Sequence, residues 1–294
     1  METASIIIRT YNEQRYLDEL LQKIHQQKRD QLEVEVVIVD SGSTDETLEI
    51  ARRNKTQIYT ISKSDFSFGR SLNVGCEKAR GDYLIFISGH CVPMGQDWLM
   101  NLVEPIRKND AHYVYGLQKG GSSTRFSEQQ LLQKYFPEEG GKPLYDFFIN
   151  NANSCVKRSL WEKYRFNEDL TGLEDMEFAK RILKDGYRIK YVPGAGIHHY
   201  HHESWAKIKR RYEREAIALQ QILPEIHLSF SDFMRYWISA VLLDASKAIQ
   251  QKLFWKKIGE IVLFRFMQFW GSYRGNHEHR RLSKRRKEKY FFPR

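Results

Sequence analysis

The strongest constraint on the fold lies in residues 36–47, VVIVDSGSTDET, where an apolar run changes abruptly into an acidic and small polar segment. A continuous apolar run without alternation is typical of a strand buried on both faces, as in a parallel sheet covered by helices. In such sheets, ligands bind beyond the carboxyl ends of the strands, which is where Asp40 lies. Taken alone, the segment is also compatible with an ordinary strand, turn and helix capped by Thr44 or Asp45. The run therefore predicts a buried parallel strand and makes Asp40 a candidate binding residue.

Strand-like and helix-like segments alternate through the N-terminal part of the chain. The successive pairs are SIIIRT with EQRYLDELLQKIHQQ, VEVVIVD with ETLEIARRN, QIYTIS with GRSLNVGCEKAR, and DYLIFIS with DWLMNLVEPIRKN. This alternation predicts an α/β fold with a Rossmann-like, mostly parallel central sheet flanked by helices. Residues 119–150 show no clear period, and we expect a long functional loop there. From Ser204 onward the pattern is helical and rich in aromatic residues.

Cysteine usage and hydropathy indicate the compartment. Three cysteines in 294 residues are too few and too scattered for a disulfide framework, which favours a reducing compartment. The N-terminus enters a strand pattern at once, and we predict no secretory signal. The apolar stretch 236–243, YWISAVLL, is too short to span a bilayer.

Positive charge is concentrated near the C-terminus. Residues 250–294 hold thirteen Lys and Arg against three Glu, an excess that equals the net charge of +10 for the whole chain. A basic tail on a neutral body predicts an anionic partner, which could be lipid head groups, an anionic polymer or nucleic acid. The interleaved aromatic residues, among them Trp255 and Trp270, suit a membrane interface. The alternative is a helical hairpin that packs on the α/β body or on a second subunit.

Four polar clusters end predicted strands or begin predicted helices. They are Thr10-Tyr11-Asn12-Glu13, the segment that begins at Asp40, Ser88-Gly89-His90-Cys91, and Glu174-Asp175. Because the carboxyl ends of parallel strands meet at one edge of a sheet, we expect these clusters to converge. Each cluster is weakly specific alone, but their order and spacing together are a strong signal.

At these motifs the sequence resembles glycosyltransferase family 2, inverting enzymes of the GT-A fold. The resemblance covers residues 4–215 and rests on IIIRTYNE, VVIVDSGSTDET, FGRSLNVGCEKARGDYLIFIS, NNANSCVKRSLWEK with FNEDL, and GLEDMEF. It implies a GT-A domain over residues 1–215 and leaves residues 216–294 as a helical, basic extension for membrane association or oligomerisation. It also implies a nucleoside-diphosphate-sugar donor, a divalent cation (Mn²⁺ or Mg²⁺), and a saccharide or lipid-linked saccharide acceptor.

The resemblance assigns roles to individual residues. Asp175 corresponds to the catalytic base, which accepts the proton of the attacking hydroxyl. Glu174 and Asn153 are expected on the acceptor side, although Glu174 is equally suited to the positive end of a helix. The residues expected to bind the nucleotide sugar are Thr10, Tyr11, Glu13, Asp40, Ser43, Arg70, Asn73 and Ser88.

The sequence departs from the family at ISGHC, where most members carry an Asp-x-Asp that binds the metal. Ser88 and His90 occupy those two positions. Serine supplies no charge, whereas a neutral imidazole binds Mn²⁺ or Zn²⁺ and suits Mg²⁺ poorly. We therefore expect weaker or altered metal dependence. The cations available to stabilise the leaving diphosphate instead are Arg70, Lys207, Arg210 and Arg211.

A histidine-rich segment, HHYHH at 198–202, is the second unusual feature. In a strand, His199 and His201 share one face. By resemblance, His199 is the expected metal ligand together with His90, and His201 is the next candidate. The alternative is a solvated or phosphate-facing histidine cluster without metal.

These observations favour an inverting transferase in the synthesis of a bacterial surface polysaccharide such as capsule or O-antigen. We expect it to be cytoplasmic, with peripheral contact to the inner face of the membrane through residues 250–294 and with homo-oligomerisation possible. The alternatives are a catalytically silent relative that binds nucleotide sugars and a nucleic-acid-binding protein that uses the basic tail. The strand-end carboxylates argue against a nucleic-acid partner. The absence of a Gly-rich phosphate loop argues against a nucleotidyltransferase.

Overall fold

The computed structural model describes residues 2–140 and 146–278. Within these residues the strands form one eight-stranded sheet with the order β3-β2-β1-β4-β7-β6-β8-β5. The strands are β1 Thr3–Thr10, β2 Glu33–Asp40, β3 Gln57–Thr60, β4 Tyr83–Ser88, β5 Cys91–Pro93, β6 Tyr113–Gly120, β7 Asn153–Lys157 and β8 Ile189–His199. β7 and β5 run antiparallel to their neighbours. All other neighbouring pairs are parallel, which confirms the mostly parallel sheet.

Helices follow the strands in the predicted alternation. In the first part of the chain they are α1 Gln14–His25, α2 Thr47–Arg53, α3 Phe68–Lys78, α4 Trp98–Arg107, α5 Phe126–Tyr135, α6 Arg158–Tyr164 and α7 Glu174–Lys184. The C-terminal helices are α8 Trp205–Ile222, α9 Phe230–Gln250 and α10 Phe254–Asn276. The helical nature of the C-terminal region is thereby confirmed as far as residue 278.

The sheet is buried on both faces, as its unbroken apolar strands predict. Along β1, Ile6 and Ile8 belong to one hydrophobic cluster and Ile7 to the other, and all three are fully buried. Helices α1, α2 and α4 contribute to the first cluster, while α3, α6 and α7 contribute to the second. Each fully buried isoleucine stabilises the fold by about 1.5–3 kcal/mol. This double burial fixes the strand ends on which the polar clusters lie.

The described chain divides into two compact units. The first holds the sheet and comprises the chain up to Thr124, Leu131–Leu170 and Glu174–His201. The second comprises Arg125–Gln130, Thr171–Leu173 and the chain from His202 onward. The expected domain boundary at residue 215 falls inside α8, and the division into functional domains stays a prediction.

The prediction of a long loop across residues 119–150 was wrong in part, because this segment contains α5. The buried positions of α5 are Phe126, Ser127, Glu128 and Gln130, so the helix has no apolar period that a sequence pattern could reveal. Its first amide, that of Phe126, donates to Glu260 Oε1 at 2.7 Å. A distant carboxylate therefore caps α5, which local sequence cannot predict.

Within the second unit, α10 packs against α8 and α9. Ser204 caps α8, and Ser229 with Asp232 forms a capping box at the start of α9. Arg265 of α10 makes a bidentate ion pair with Asp244 of α9, at 2.7 and 2.8 Å, and both side chains are buried. Among the described residues, no helix combines the length and apolarity needed to cross a membrane.

Candidate active site

Asp40 organises the turn that follows β2. The strands β1 and β2 pair in parallel with Thr10 opposite Asp40. The Oδ1 atom of Asp40 accepts the amides of Gly42 and Ser43 at 2.9 and 2.8 Å. Its Oδ2 accepts the hydroxyls of Thr10 at 2.9 Å and Ser43 at 2.5 Å. Four donors use the lone pairs of this fully buried carboxylate, so a direct bond to a nucleoside requires one donor to turn away.

The loop after β1 is interlocked with the loop after β2. The amide of Asn12 donates to Ser43 Oγ at 2.8 Å, and the amide of Thr44 donates to Asn12 Oδ1 at 2.8 Å. Asn12 has a φ of +58°, a left-handed conformation that asparagine tolerates better than most residues. The paired loops hold the predicted nucleotide-binding residues in one fixed surface at the carboxyl ends of β1 and β2.

Tyr11 is exposed on this surface, with 48% of its area accessible. The ammonium group of Lys63 lies 4.9 Å from the centre of the Tyr11 ring. The Lys63 side chain also passes close to Gly42, where an added Cβ would lie 3.5 Å from its Cε. Lys63 thus adds a positive charge to the surface. Sequence analysis missed it because it lies in the loop after β3, outside every motif.

The three predicted histidine ligands lie together. His90 Nε2 is 3.1 Å from His199 Nε2, and the antiparallel pairing of β5 with β8 produces this approach. The ligand atoms of His90, His199 and His201 all lie within 4.8 Å of one another. Glu13, expected to contact the nucleoside, instead pairs with His90 Nδ1 at 2.8 Å. The structure therefore gives Glu13 a role in orienting the His90 ring.

The tautomer of His199 follows from a chain of hydrogen bonds. The amide of Ala152 donates to Asn150 Oδ1 at 2.9 Å, which identifies that atom as oxygen. Asn150 Oδ1 in turn accepts from Gln118 Nε2 at 3.1 Å. Gln118 Oε1 is therefore the atom 2.8 Å from His199 Nδ1, and that ring nitrogen carries the proton. With the proton on Nδ1, Nε2 is the atom of His199 that can accept a proton or bind a metal ion.

The same argument applies to His90. An ionised carboxylate is acceptor-only, so Glu13 in that form accepts from His90 Nδ1 and leaves Nε2 as the acceptor atom of this ring. With both rings in this tautomer, the two Nε2 atoms lie 3.1 Å apart and can share a proton or a cation between them. Two Zn–N bonds of about 2.1 Å at a tetrahedral angle place the nitrogens about 3.4 Å apart. The histidines thus fit a divalent ion, with Glu13 and Gln118 as outer partners that orient the rings.

Asp175 lies in the first turn of α7 and is buried, with 7% of its area accessible. Its Oδ2 accepts the amide of Asn151 at 2.9 Å, and its Oδ1 accepts the amide of Met176 at 2.8 Å. Burial, followed by the negative charge of Glu174, raises the pKa of Asp175 to about 7. A carboxylate with such a pKa can both accept and release a proton near neutral pH.

Glu174 is also buried and pairs with Arg9, whose Nη1 lies 3.3 Å from Glu174 Oε1. The Arg9 guanidinium lies 5.1 Å from the centre of the Phe68 ring. Sequence analysis missed Arg9 because it lies inside the β1 strand, before the polar cluster that begins at Thr10. Together with Asp175, the pair places one basic and two acidic groups at the start of α7.

Two predicted site residues are held entirely within the scaffold. The amide of Asn73 donates to Phe166 O at 2.9 Å and Glu168 Oε1 at 2.8 Å, and its oxygen accepts from Trp161 Nε1 at 3.0 Å. Asn153 is fully buried; it donates to two backbone carbonyls and accepts from the Trp98 indole at 2.8 Å. Both asparagines act as structural bridges, and we leave both out of the proposed binding site.

The remaining predicted residues are more accessible. Ser88 ends β4 opposite Arg9 and is partly exposed, and Arg70 is exposed in the first turn of α3. In the second unit, Arg211 is engaged in ion pairs with Glu128 at 2.8 Å and Glu203 at 2.7 Å, so its charge is already compensated. Lys207 and Arg210 are exposed on α8.

The fold and the polar strand ends are those of a GT-A glycosyltransferase. The structure is similar to that of the mannosyltransferase PcManGT from Pyrobaculum calidifontis, solved in complex with GDP-Man and Mn²⁺, with a TM-score of 0.64 at 18% identity. The similarity covers 96% of this chain and 87% of that one. The family model for glycosyl transferase family 2 matches residues 5–164. The chain belongs to this family and is a glycosyltransferase.

Curated relatives agree with this assignment. The O-antigen chain rhamnosyltransferase RfbN of Salmonella typhimurium is 25% identical over 289 residues, which cover 93% of this chain and 89% of that protein. The poly(ribitol-phosphate) beta-N-acetylglucosaminyltransferase TarS of Staphylococcus aureus is 36% identical over 196 residues. That match covers 64% of this chain but 34% of TarS.

Proposed function

We propose that this enzyme transfers a sugar from a nucleoside-diphosphate sugar to an acceptor hydroxyl with inversion, and that Asp175 is the general base. The observation that carries the proposal is the state of Asp175, a buried carboxylate whose pKa is raised to about 7 at the start of α7. Two backbone amides hold both of its oxygens in place, so its orientation does not depend on a bound substrate. A raised pKa increases the affinity of the carboxylate for the proton that it must accept.

In the proposed step, the acceptor oxygen attacks the anomeric carbon from the side opposite the diphosphate. The new C–O bond forms while the bond between that carbon and the diphosphate oxygen breaks, and the electron pair leaves with the nucleoside diphosphate. The acceptor proton passes to Asp175, which releases it to solvent before the next turnover. Burial and then the charge of Glu174, which is paired with Arg9, raise the affinity of Asp175 for this proton. A bond from Glu174 to the acceptor stays a prediction.

The donor is proposed to bind over the interlocked loops after β1 and β2. Tyr11 and Ser43 lie on that surface, and Lys63, Arg70 and Ser88 supply charged or polar groups nearby in the sheet unit. Thr10 and Asp40 act indirectly, since their hydrogen bonds fix the turn that presents Ser43. A preformed surface of this kind reduces the entropy lost when a flexible nucleotide sugar binds.

His90, His199 and His201 are the residues that would hold a divalent cation. When bound, such an ion offsets the negative charge that develops on the leaving diphosphate. The nitrogen-rich set favours Mn²⁺ or Zn²⁺ and suits Mg²⁺ poorly. Glu13 and Gln118 keep the Nε2 lone pairs of the first two histidines directed at the same point.

A role in bacterial surface polysaccharide synthesis is proposed from the relatives, which include an O-antigen rhamnosyltransferase and a poly(ribitol-phosphate) glycosyltransferase. The acceptor would then be a saccharide or a lipid-linked saccharide. We place the enzyme in the cytoplasm, with peripheral contact to the anionic inner face of the membrane through residues 250–294, whose charge is strongly positive. Homo-oligomerisation is compatible with this arrangement.

The direct test is to incubate the purified protein with a panel of nucleotide sugars and to measure the release of nucleoside diphosphate. We expect slow hydrolysis of one donor and faster release when the acceptor is present. Absence of turnover with every donor, together with tight binding of RNA or DNA, would overturn the proposal. Tight binding of one donor without turnover would identify a catalytically silent relative.

A further inference from the structure

The second unit carries an exposed apolar surface on α9 and at the turn into α10. Leu242 and Leu243 are 65% and 67% exposed, Ile249 is 60% exposed, and Trp255 is 90% exposed. Ile238 is 48% exposed and lies on the same helical stripe as Leu242 and Ile249, at spacings of four and eleven residues. We call these five residues the α9 surface. Large apolar side chains that cluster in water mark a site of interaction.

The charges around the α9 surface are mainly positive. Lys247, Lys252 and Lys256 are exposed, and Arg235 is exposed but pairs with Asp232 at 3.1 Å. Between Phe233 and Lys257 the sequence holds a single acidic residue, Asp244. Asp244 is buried and neutralised by the bidentate ion pair with Arg265. The outer face of this segment therefore presents apolar and cationic groups without an accessible carboxylate.

We propose that the α9 surface binds directly to the surface of an anionic lipid bilayer, with α9 lying in the plane of the interface. A helix of 21 residues is about 32 Å long and can follow the membrane surface over that length. The leucines and isoleucines would enter the boundary between head groups and acyl chains. Trp255 would lie at head-group depth, and the lysines would contact lipid phosphates.

An anionic bilayer fits this surface better than a second copy of the chain does. In a symmetric dimer through α9, Lys247, Lys252 and Lys256 of each copy would be brought towards those of the other, and none of the three has an ion-pair partner in the described residues. A bilayer supplies both chemical partners, namely acyl chains for the apolar residues and phosphates for the basic ones. This inference rests on the peripheral membrane contact proposed above, for which it names a surface, and it does not depend on the transfer reaction.

The test is co-sedimentation of the full-length protein with vesicles, in EDTA and without donor. We expect binding to vesicles of phosphatidylglycerol and phosphatidylethanolamine, and much weaker binding to pure phosphatidylcholine. Replacing both leucines (Leu242→Ser with Leu243→Ser) should lower the partition coefficient for anionic vesicles by about tenfold or more, because partial burial of two leucines is lost. Trp255→Ser should have a smaller effect. Met94→Ser is the matched control, since Met94 is 42% exposed in the other unit and should leave binding unchanged.

The outcomes separate the possible causes. If the double leucine variant bound anionic vesicles as strongly as the wild type does, the proposal would be overturned and the interaction would be assigned to residues beyond 278. A concentration-dependent dimer that the variant loses, without vesicle binding by the wild type, would also overturn it in favour of a second copy. Unchanged thermal melting confirms that the variant is folded. Donor hydrolysis without vesicles should be the same in both proteins, so failure of the transfer proposal would appear separately.

Discussion

His90 and His199 direct their Nε2 atoms at each other across 3.1 Å. Both rings are oriented from behind, one by the carboxylate of Glu13 and the other by the amide of Gln118. We propose that this arrangement takes the place of the missing Asp-x-Asp by offering nitrogen ligands to a divalent cation. The proposal predicts a change in the preferred metal, which can be measured.

We expect His90→Ala and His199→Ala each to weaken Mn²⁺ or Zn²⁺ binding by at least about tenfold, since each removes one direct ligand. Isothermal titration calorimetry with the metal alone provides a readout that does not depend on turnover. His198→Ala is the control, because the His198 side chain projects from the face of β8 opposite to that of His199. Turnover lost in EDTA should return with Mn²⁺ or Zn²⁺ more fully than with Mg²⁺. Unchanged metal affinity in both alanine variants would exclude the histidine site.

The pH dependence of turnover should follow the ionisation of Asp175. Only the ionised carboxylate accepts a proton, and its pKa is raised to about 7, so the rate should rise with pH around neutrality and then level off. Glu174→Gln removes a neighbouring negative charge and releases Arg9 from its ion pair. Both effects favour the ionised form, so the acidic limb should move to lower pH.

Arg9→Met is the matched opposite of this change. It removes the positive charge that lowers the pKa of Asp175, and the acidic limb should therefore move to higher pH. The measurement is the pH profile of kcat/KM for the three proteins. The same midpoint in all of them would show that Asp175 does not control the rate.

Asn73 is expected to be a stability residue. Asn73→Ala removes four hydrogen bonds, three of them buried, and leaves the Trp161 indole and the Phe166 amide unpaired, which should lower the free energy of unfolding by about 2–4 kcal/mol. Urea denaturation measures this loss. Arg70→Ala, at an exposed position on the same helix, should leave stability unchanged and raise the KM for the donor. If Asn73→Ala instead raised the KM for the donor without loss of stability, Asn73 would belong to the nucleotide-binding site.

Asp40 should act on donor binding through the turn after β2. In Asp40→Asn, an amide N–H group would face at least one of the four donors that the carboxylate accepts, at a cost of about 1–3 kcal/mol in stability. The affinity of Asp40→Asn for the nucleotide, measured by calorimetry, should fall together with its stability. Thr10→Val removes a single donor and should produce a smaller loss in both quantities. A full loss of nucleotide binding with unchanged melting would instead favour direct contact between Asp40 and the nucleoside.

The sequence alone was sufficient for the parts of the fold that depend on local pattern. The apolar run before Asp40 predicted a doubly buried strand because no side of it could face water. The convergence of Thr10 with Asp40 followed from parallel pairing. The proximity of His90 to His199 had no local signal, since it depends on β5 pairing with β8 across more than a hundred residues.

Polar residues inside motifs were harder to assign. Asn73 and Asn153 lie in segments that resemble the family, yet each uses its amide to join elements that are distant in sequence. Gln118, which fixes the tautomer of His199, lies in a strand that shows only apolar periodicity. Hydrogen-bond partners of this kind are set by tertiary packing, so neither composition nor spacing reveals them.

The central claim is that Asp175 accepts the acceptor proton. The most direct measurement is the transfer rate of Asp175→Asn against the wild type, with the donor identified in the panel and with donor affinity determined separately. We predict a fall in kcat of at least about a hundredfold while the protein still binds the donor with wild-type affinity. A transfer rate close to that of the wild type would contradict the account.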